Sequence, residues 1–216
     1  AKVLGISLID NFAAPYLSLS VREYWRRWHI SLSRWLRDYI YIPLGGSRCS
    51  KGRRYLNLMI TFLISGLWHG ADLSYVLWGG LNGACVVAET AFSRQAKRLC
   101  DKLRVDTSAF SHRLLMTVKT FIVLALIYIP FRADSISAAI GYIGQMLTHY
   151  DPWVLFDQSM YGIGGLMTAD WHIIFICVFV LVLFDMLKYH DSTRSHYEYD
   201  LQRRSVGLVG VPVAFA

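Results

Sequence analysis

The stretch Leu56–Ala91, reading LNLMITFLISGLWHGADLSYVLWGGLNGACVVAETA, decides the fold class. It runs for 36 residues with two charged side chains, Asp72 and Glu89. A membrane-spanning helix needs about 20 predominantly apolar residues, so this run is long enough for two passes. His69-Gly70-Ala71-Asp72 lies near its middle and supplies a bend. Gly66/Gly70 and Gly79/Gly83 are small-xxx-small pairs, which let helix backbones approach closely in lipid. The expected unit is a membrane hairpin over 55–93 that bears His69.

The whole chain carries the same signature. Of its 216 residues 55% are hydrophobic and 17% charged, against about 25% charged in an average soluble domain. Mean hydropathy is +0.36. These values exclude disorder, collagen and coiled coil, and argue against an ordinary soluble enzyme. A net charge of +7 can indicate nucleic acid. Here the basic blocks alternate with long apolar runs, which is the pattern of a membrane protein whose positive loops stay on one side.

Further spans are expected at 114–131 and 171–187, and 205–216 reads as the start of another. On that reading the chain is an internal piece of a longer membrane protein. Lys119 falls near one end of the 114–131 span, where snorkelling is cheap. Lys and Arg number nine in 22–54, six in 94–113, four in 188–204 and one in 132–170. The positive-inside rule places the first three segments in the cytoplasm and the last outside. That parity requires an even number of passes between 54 and 94, which the hairpin supplies. The segment 94–113 is read as a loop.

Upstream, 15–50 reads as an interfacial amphipathic helix and loop. Ser20-Val21-Arg22-Glu23 fits a capping box, so a helix is expected to start at Val21. Pro43 should end it. On a 3.6-residue period Trp28, Leu32, Trp35 and Tyr39 share one face, and Arg22, Arg26, His29, Ser33 and Arg37 another. A basic face beside an aromatic face describes a helix lying in the membrane interface.

Among residues able to carry chemistry, His69 stands out inside Ser65-Gly66-Leu67-Trp68-His69-Gly70-Ala71. An ionisable side chain at membrane depth is costly and marks a pathway or a site. A buried, neutral imidazole there can accept a proton from a hydroxyl, and the flanking glycines leave room for a substrate. The structural alternative is a histidine hydrogen-bonded in a helix interface. His29 ranks second, with an interfacial histidine beside arginines as its alternative. The arginine cluster fits anionic lipid headgroups or the phosphates of a donor such as coenzyme A, and the spacing does not separate these. Asp72 either orients His69 or is solvated at the bend. His149 and His172 lie toward the outer side, at a possible acceptor entrance; His112, His190 and His196 fall in polar loops. Four cysteines show no CxxC pair and no metal-ligand spacing. Gly162-Ile163-Gly164-Gly165 lacks the Lys-Ser/Thr of a P-loop, and Ser65 has no nucleophile elbow around it.

These residues together resemble a known family. Glu23 to Ser33, then Trp35 to Gly46 with its Arg37-Asp38-Tyr39-Ile40-Tyr41-Ile42-Pro43-Leu44-Gly45-Gly46, then Gly66-Leu67-Trp68-His69-Gly70-Ala71 are similar to the membrane-bound O-acyltransferases. Phe131-Arg132-Ala133-Asp134-Ser135 with Ala138-Ala139 extends the likeness. It runs over about 15–148 and is nearest the branch that contains the alginate O-acetylation membrane protein. The D-alanyl transfer protein of teichoic acid is a more distant relative. The resemblance implies an all-α, polytopic helical bundle, present here as a partial chain, with a funnel or tunnel through the membrane. It implies acyl transfer, acetyl by branch, from a cytoplasmic thioester donor (acetyl-CoA or a carrier thioester) to a hydroxyl of an exported polysaccharide or cell-wall glycan. No bound cofactor or metal is expected. An extracytoplasmic transferase partner and the cytoplasmic (inner) membrane are implied as well.

The family's essential histidine maps onto His69 and its second histidine onto His29. In the combined expectation His69 is the base and His29 positions a group or lines the donor route. Trp68 shapes the chamber and, with Arg26, Arg27 and Asn82, is taken as substrate-binding. One departure stands out: many relatives carry His-Gly after the second Trp-Gly, whereas this chain reads Trp78-Gly79-Gly80-Leu81-Asn82-Gly83. Asn82 cannot titrate near pH 7, although it can hydrogen-bond inside a bundle. The competing classes are a transporter or channel with His69 and Asp72 along a polar path, and a non-catalytic scaffold.

Overall fold

The computed structural model describes residue 5, residues 10–149 and residues 172–187. The expected cytoplasmic segment 188–204, the start of a span at 205–216, most of the outer segment beyond 149, and His190 and His196 lie outside the described residues. Every regular element among the described residues is helical.

The hairpin forms around the quoted stretch. Helix α3 (Lys51–His69) is capped by Ser50, whose hydroxyl accepts the Arg53 N–H. It stops at Gly70, which sits at φ 154° and ψ 166°, a region essentially restricted to glycine. Helix α4 (Leu73–Lys102) then starts from Asp72, whose carboxylate accepts the Ser74 N–H at 2.8 Å. The two helices touch backbone to backbone. A Cβ on Gly66 would meet the Tyr75 carbonyl oxygen, and one on Gly79 would meet the Phe62 carbonyl oxygen. Gly83 faces Met59 and Phe62 in the same seam. The glycines therefore close the hairpin; Gly66 does not hold space open beside an imidazole, as the sequence suggests.

Helix α4 corrects the expected loop at 94–113. It continues through Arg94 to Lys102, about 45 Å in all at ~1.5 Å per residue. The stretch Arg94-Gln95-Ala96-Lys97-Arg98-Leu99 is built of strong helix formers and contains no Gly or Pro. Its basic side chains are exposed along a helix rather than a loop.

Helix α5 (Phe110–Arg132) contains the expected 114–131 span and, among the described residues, is the one helix long and apolar enough to cross a membrane. Because it begins at Phe110, Lys119 lies about 14 Å inside it, not near its end as expected. Pro130 is buried within its last turn. Helix α6 (Ile136–Thr148) is capped by Ser135, which accepts the Ala138 N–H at 3.1 Å. Helix α7 (His172–Leu187) is a shorter apolar helix.

The region before α3 departs most from the sequence reading. The single helix expected from Val21 to Pro43 is two helices, α1 (Val21–Arg27) and α2 (Ile30–Leu36), the second running on through a wide turn at Arg37–Tyr41. The start at Val21 and the stop before Pro43 are as expected. Ser20 accepts the Glu23 N–H at 3.1 Å, and the Glu23 carboxylate reaches back to the Leu19 N–H at 2.9 Å. The break at Trp28-His29 comes from upstream: Asn11 accepts the Ile30 N–H through its carbonyl and the Ser31 N–H through its side chain, at 3.0 and 2.9 Å. Ala13 N–H donates to the Arg27 carbonyl at 3.0 Å. These bonds satisfy both helix ends, and the continuous α-helix is lost.

Helix α1 docks on the hairpin. Tyr24, Trp25, Leu58, Phe62, Trp78 and Val86 form the buried centre, with Leu124 and Ile127 of α5 against it. The seam between α3 and α4 gives the first prediction. Gly79→Ala should push the helices apart and cost about 1–3 kcal/mol, read as a lower melting temperature. Gly141→Ala on α6, whose Cβ meets nothing within 4 Å, should not lower it. Equal melting of the two variants would contradict the close seam.

Candidate functional site

Two long-range anchors hold α1 against α4. Glu89 accepts the Val21 and Arg22 N–H groups at 2.9 and 3.0 Å, capping the α1 N-terminus from another helix. A carboxylate there is favoured by the unpaired amides and the helix dipole. One helical stretch away, the Trp25 indole N–H donates to Asn82 Oδ1 at 3.0 Å, and Asn82 Nδ2 donates to the Trp78 carbonyl at 2.9 Å. Asn82 is 0% exposed. Both ends of its amide are used inside the protein, so it latches two helices, where the sequence reading takes it as substrate-binding. Glu89 was visible in the sequence only as a charge in an apolar run.

With α1 fixed, the break after it delivers His29 to the end of α3. His29 has φ 46° and ψ 55°, a left-handed conformation that costs a non-glycine residue about 1–3 kcal/mol. Asn11 holds the next two amides and keeps it there. The imidazole of His29 stands 6.1 Å from the Phe12 ring and 6.3 Å, edge-on, from the Trp68 indole. His29 Nδ1 is buried and has no hydrogen-bond partner. Asn11 is a site residue that the sequence reading missed; only its position upstream of a helix break could have signalled it.

His69, the last residue of α3, stands beside the same indole. Its ring centroid lies 5.0 Å from Trp68, 5.1 Å from Trp78 and 5.1 Å from Phe131, all near perpendicular. Phe131 follows Pro130 in the last turn of α5, so α3, α4 and α5 each contribute to this wall. Trp78 is 1% exposed, and its indole N–H has no partner. His69 itself is exposed, as is Trp68 at 58%. This differs from the buried imidazole expected from the apolar run. His69 ends its helix at the hairpin turn, where walls pack its flanks and leave its outer side open.

The remaining expected groups lie elsewhere. The Asp72 carboxylate caps α4, and its bonds to Ser74 hold it below the usual carboxylate range. It neither orients His69 nor lines a buried path. Arg27 pairs with Glu23 at 2.6 Å and donates to the Ala13 carbonyl at 3.3 Å, so it braces the segment before α1. Arg26 is exposed on the opposite side of that helix from Tyr24 and Trp25. His149 is exposed at the end of α6 beside Thr148, and His112 is near the start of α5. His29, Trp68 and His69 come together; Arg26, Arg27 and Asn82 are not part of that group.

Residues 10–129 match the model of the membrane-bound O-acyltransferase family. A probable alginate O-acetylase of Pseudomonas syringae pv. tomato is 36% identical over 77% of this chain and 30% of its own length. A peptidoglycan O-acetyltransferase of Helicobacter pylori is 36% identical over 66% of this chain and 26% of its own. A teichoic acid D-alanyltransferase of Streptococcus thermophilus is 31% identical over 46% of this chain and 26% of its own. The chain spans less than a third of the length of each of these relatives.

Asn82→Leu removes the acceptor of a buried indole N–H and should destabilise the protein by about 1–3 kcal/mol, measured as a lower melting temperature in detergent. An unchanged melting temperature would return Asn82 to the list of groups free to meet a substrate.

Proposed function

The chain belongs to the membrane-bound O-acyltransferase family, and on that premise we propose that it transfers an acyl group, acetyl by its relatives, from a cytoplasmic thioester to a hydroxyl. The donor is acetyl-CoA or a carrier thioester. The acceptor belongs to an exported polysaccharide or a cell-wall glycan, served by an extracytoplasmic transferase partner. The protein is a membrane protein, and in this proposal it is a multi-pass protein of the inner membrane, with 22–54, 94–113 and 188–204 on the cytoplasmic side.

One observation carries this reading: two histidines forty residues apart in sequence stand beside one indole, and one of them is held in a strained backbone. Strain of that kind persists only where the surroundings over-determine it, and it clusters at functional sites. A neutral imidazole beside an acceptor hydroxyl takes its proton as the oxygen attacks the thioester carbonyl. A C–O bond forms, the C–S bond breaks, and the proton passes to the departing thiolate. The products are an ester and a free thiol. His69 fits the base because its open side faces outward while Trp78 and Phe131 fix its flanks. His29 fits a positioning residue beside the same Trp68 indole.

The test uses membranes containing the protein, labelled acetyl-CoA and matched protein levels. His69→Ala should lower label transfer by about 10²–10⁴-fold, the usual contribution of a general base. Full transfer by His69→Ala would remove His69 from the chemistry and with it this mechanism.

A further inference from the structure

At the other end of α3 a second site is built from charge. A cavity of about 270 Å³ opens where the start of α1, the first turn of α3 and the middle of α4 converge. Arg22, Lys51, Arg54 and Arg94 line it, together with Tyr55 and Ser93. Four cations around one small space repel one another unless an anion joins them. Among the described residues none of the four forms a salt bridge. Glu89, beside this wall on α4, has both oxygens on the Val21 and Arg22 amides. The Arg54 Nε–H is buried and lacks a hydrogen-bond partner, while its guanidinium lies 5.6 Å from the Tyr55 ring.

The geometry points to a phosphate-binding site in this cavity. Arginine forks match phosphate oxygens with paired N–H donors, and lysine adds a point charge. The first turn of α3 adds the positive end of a 19-residue helix. The hydroxyls nearby do not compete as donors, since Thr90 and Ser93 already donate to the Val86 and Thr90 carbonyls at 2.8 and 2.9 Å. The site is separate from the histidine pair: from Lys51 to His69 α3 rises about 27 Å. That is close to the ~30 Å hydrocarbon thickness of a bilayer. A basic pocket at that level faces the headgroup layer, where anionic phospholipid phosphates concentrate. The phosphate of a soluble molecule has the same chemistry. Arg22, Lys51, Arg54 and Arg94 are thus assigned to the anion, in place of the Arg26 and Arg27 suggested by the sequence.

The protein purified in maltoside detergent, which carries no phosphate, allows the two sources to be compared by native mass spectrometry. The probes are dioctanoyl phosphatidic acid, inorganic pyrophosphate, and dioctanoylglycerol as the phosphate-free control. Wild type should bind at least one phosphate probe at least tenfold better than the control. Binding confined to the lipid identifies a headgroup site; binding of pyrophosphate identifies a site for soluble phosphates. The exposed-side variant Lys51→Gln/Arg94→Gln should lose at least tenfold in affinity, with Arg34→Gln on α2 unaffected. Absence of phosphate binding, a charge-deleted variant that binds as wild type does, or equal loss in Arg34→Gln overturns the assignment.

Discussion

The arrangement of the site depends on how a seven-residue helix is pinned to a thirty-residue one. Helix α1 is too short to be stable by itself. It is held at its N-terminus by the Glu89 carboxylate and in its middle by Asn82 on the Trp25 indole. Both anchors are polar groups placed in an apolar setting, where each would be costly without its own partner on α1. Joined, they fix the axial position and the rotation of α1. The strained turn at His29 can then project its imidazole toward the end of α3. Without these anchors Asn11 would still cap α2, but nothing would set where that cap lies relative to Trp68.

Helix α3 acts as a ruler between two different chemistries. Its first turn carries Lys51 and Arg54 into a cationic cavity, and its last carries Trp68 and His69 into an aromatic wall. The glycine seam with α4 holds the helix close against its neighbour, since Gly66 and Gly79 leave no space for even a methyl group between the backbones. Helix α5 closes the aromatic end with Phe131 and ties into α1 through the Tyr24–Tyr128 hydroxyl contact at 3.2 Å. Burial and that contact push the Tyr24 hydroxyl far above the ordinary phenol range, so it remains a neutral hydrogen-bonding group.

What was legible in the sequence was local. The apolar run with a central bend gave the hairpin, Ser20 with Glu23 gave the start of α1, and Pro43 marked the end of the second helical segment. The apolar run singled out His69, and the family likeness joined His29 to it, a pair that no spacing rule connects. What was not legible depended on distant partners. The helix break at His29 is imposed by Asn11, and a periodicity reading of 21–41 cannot register a hydrogen bond from outside the window. Asn82 and Glu89 looked like a substrate group and a stray charge because their partners lie on α1. Helix α4 running past Arg94 could have been read from its composition, but the density of charge suggested a loop. The exposure of His69 follows from its place at a helix end, which hydrophobicity alone does not locate.

The central claim is that His29 and His69 serve a single reaction beside Trp68. A double-mutant cycle tests it most directly: acetyl transfer by His29→Gln, His69→Gln and the double variant, at matched protein level. Residues acting as a unit give non-additive losses. The account predicts that the double variant is no slower than the slower single variant. Losses that multiply would show two independent contributions and contradict a shared site.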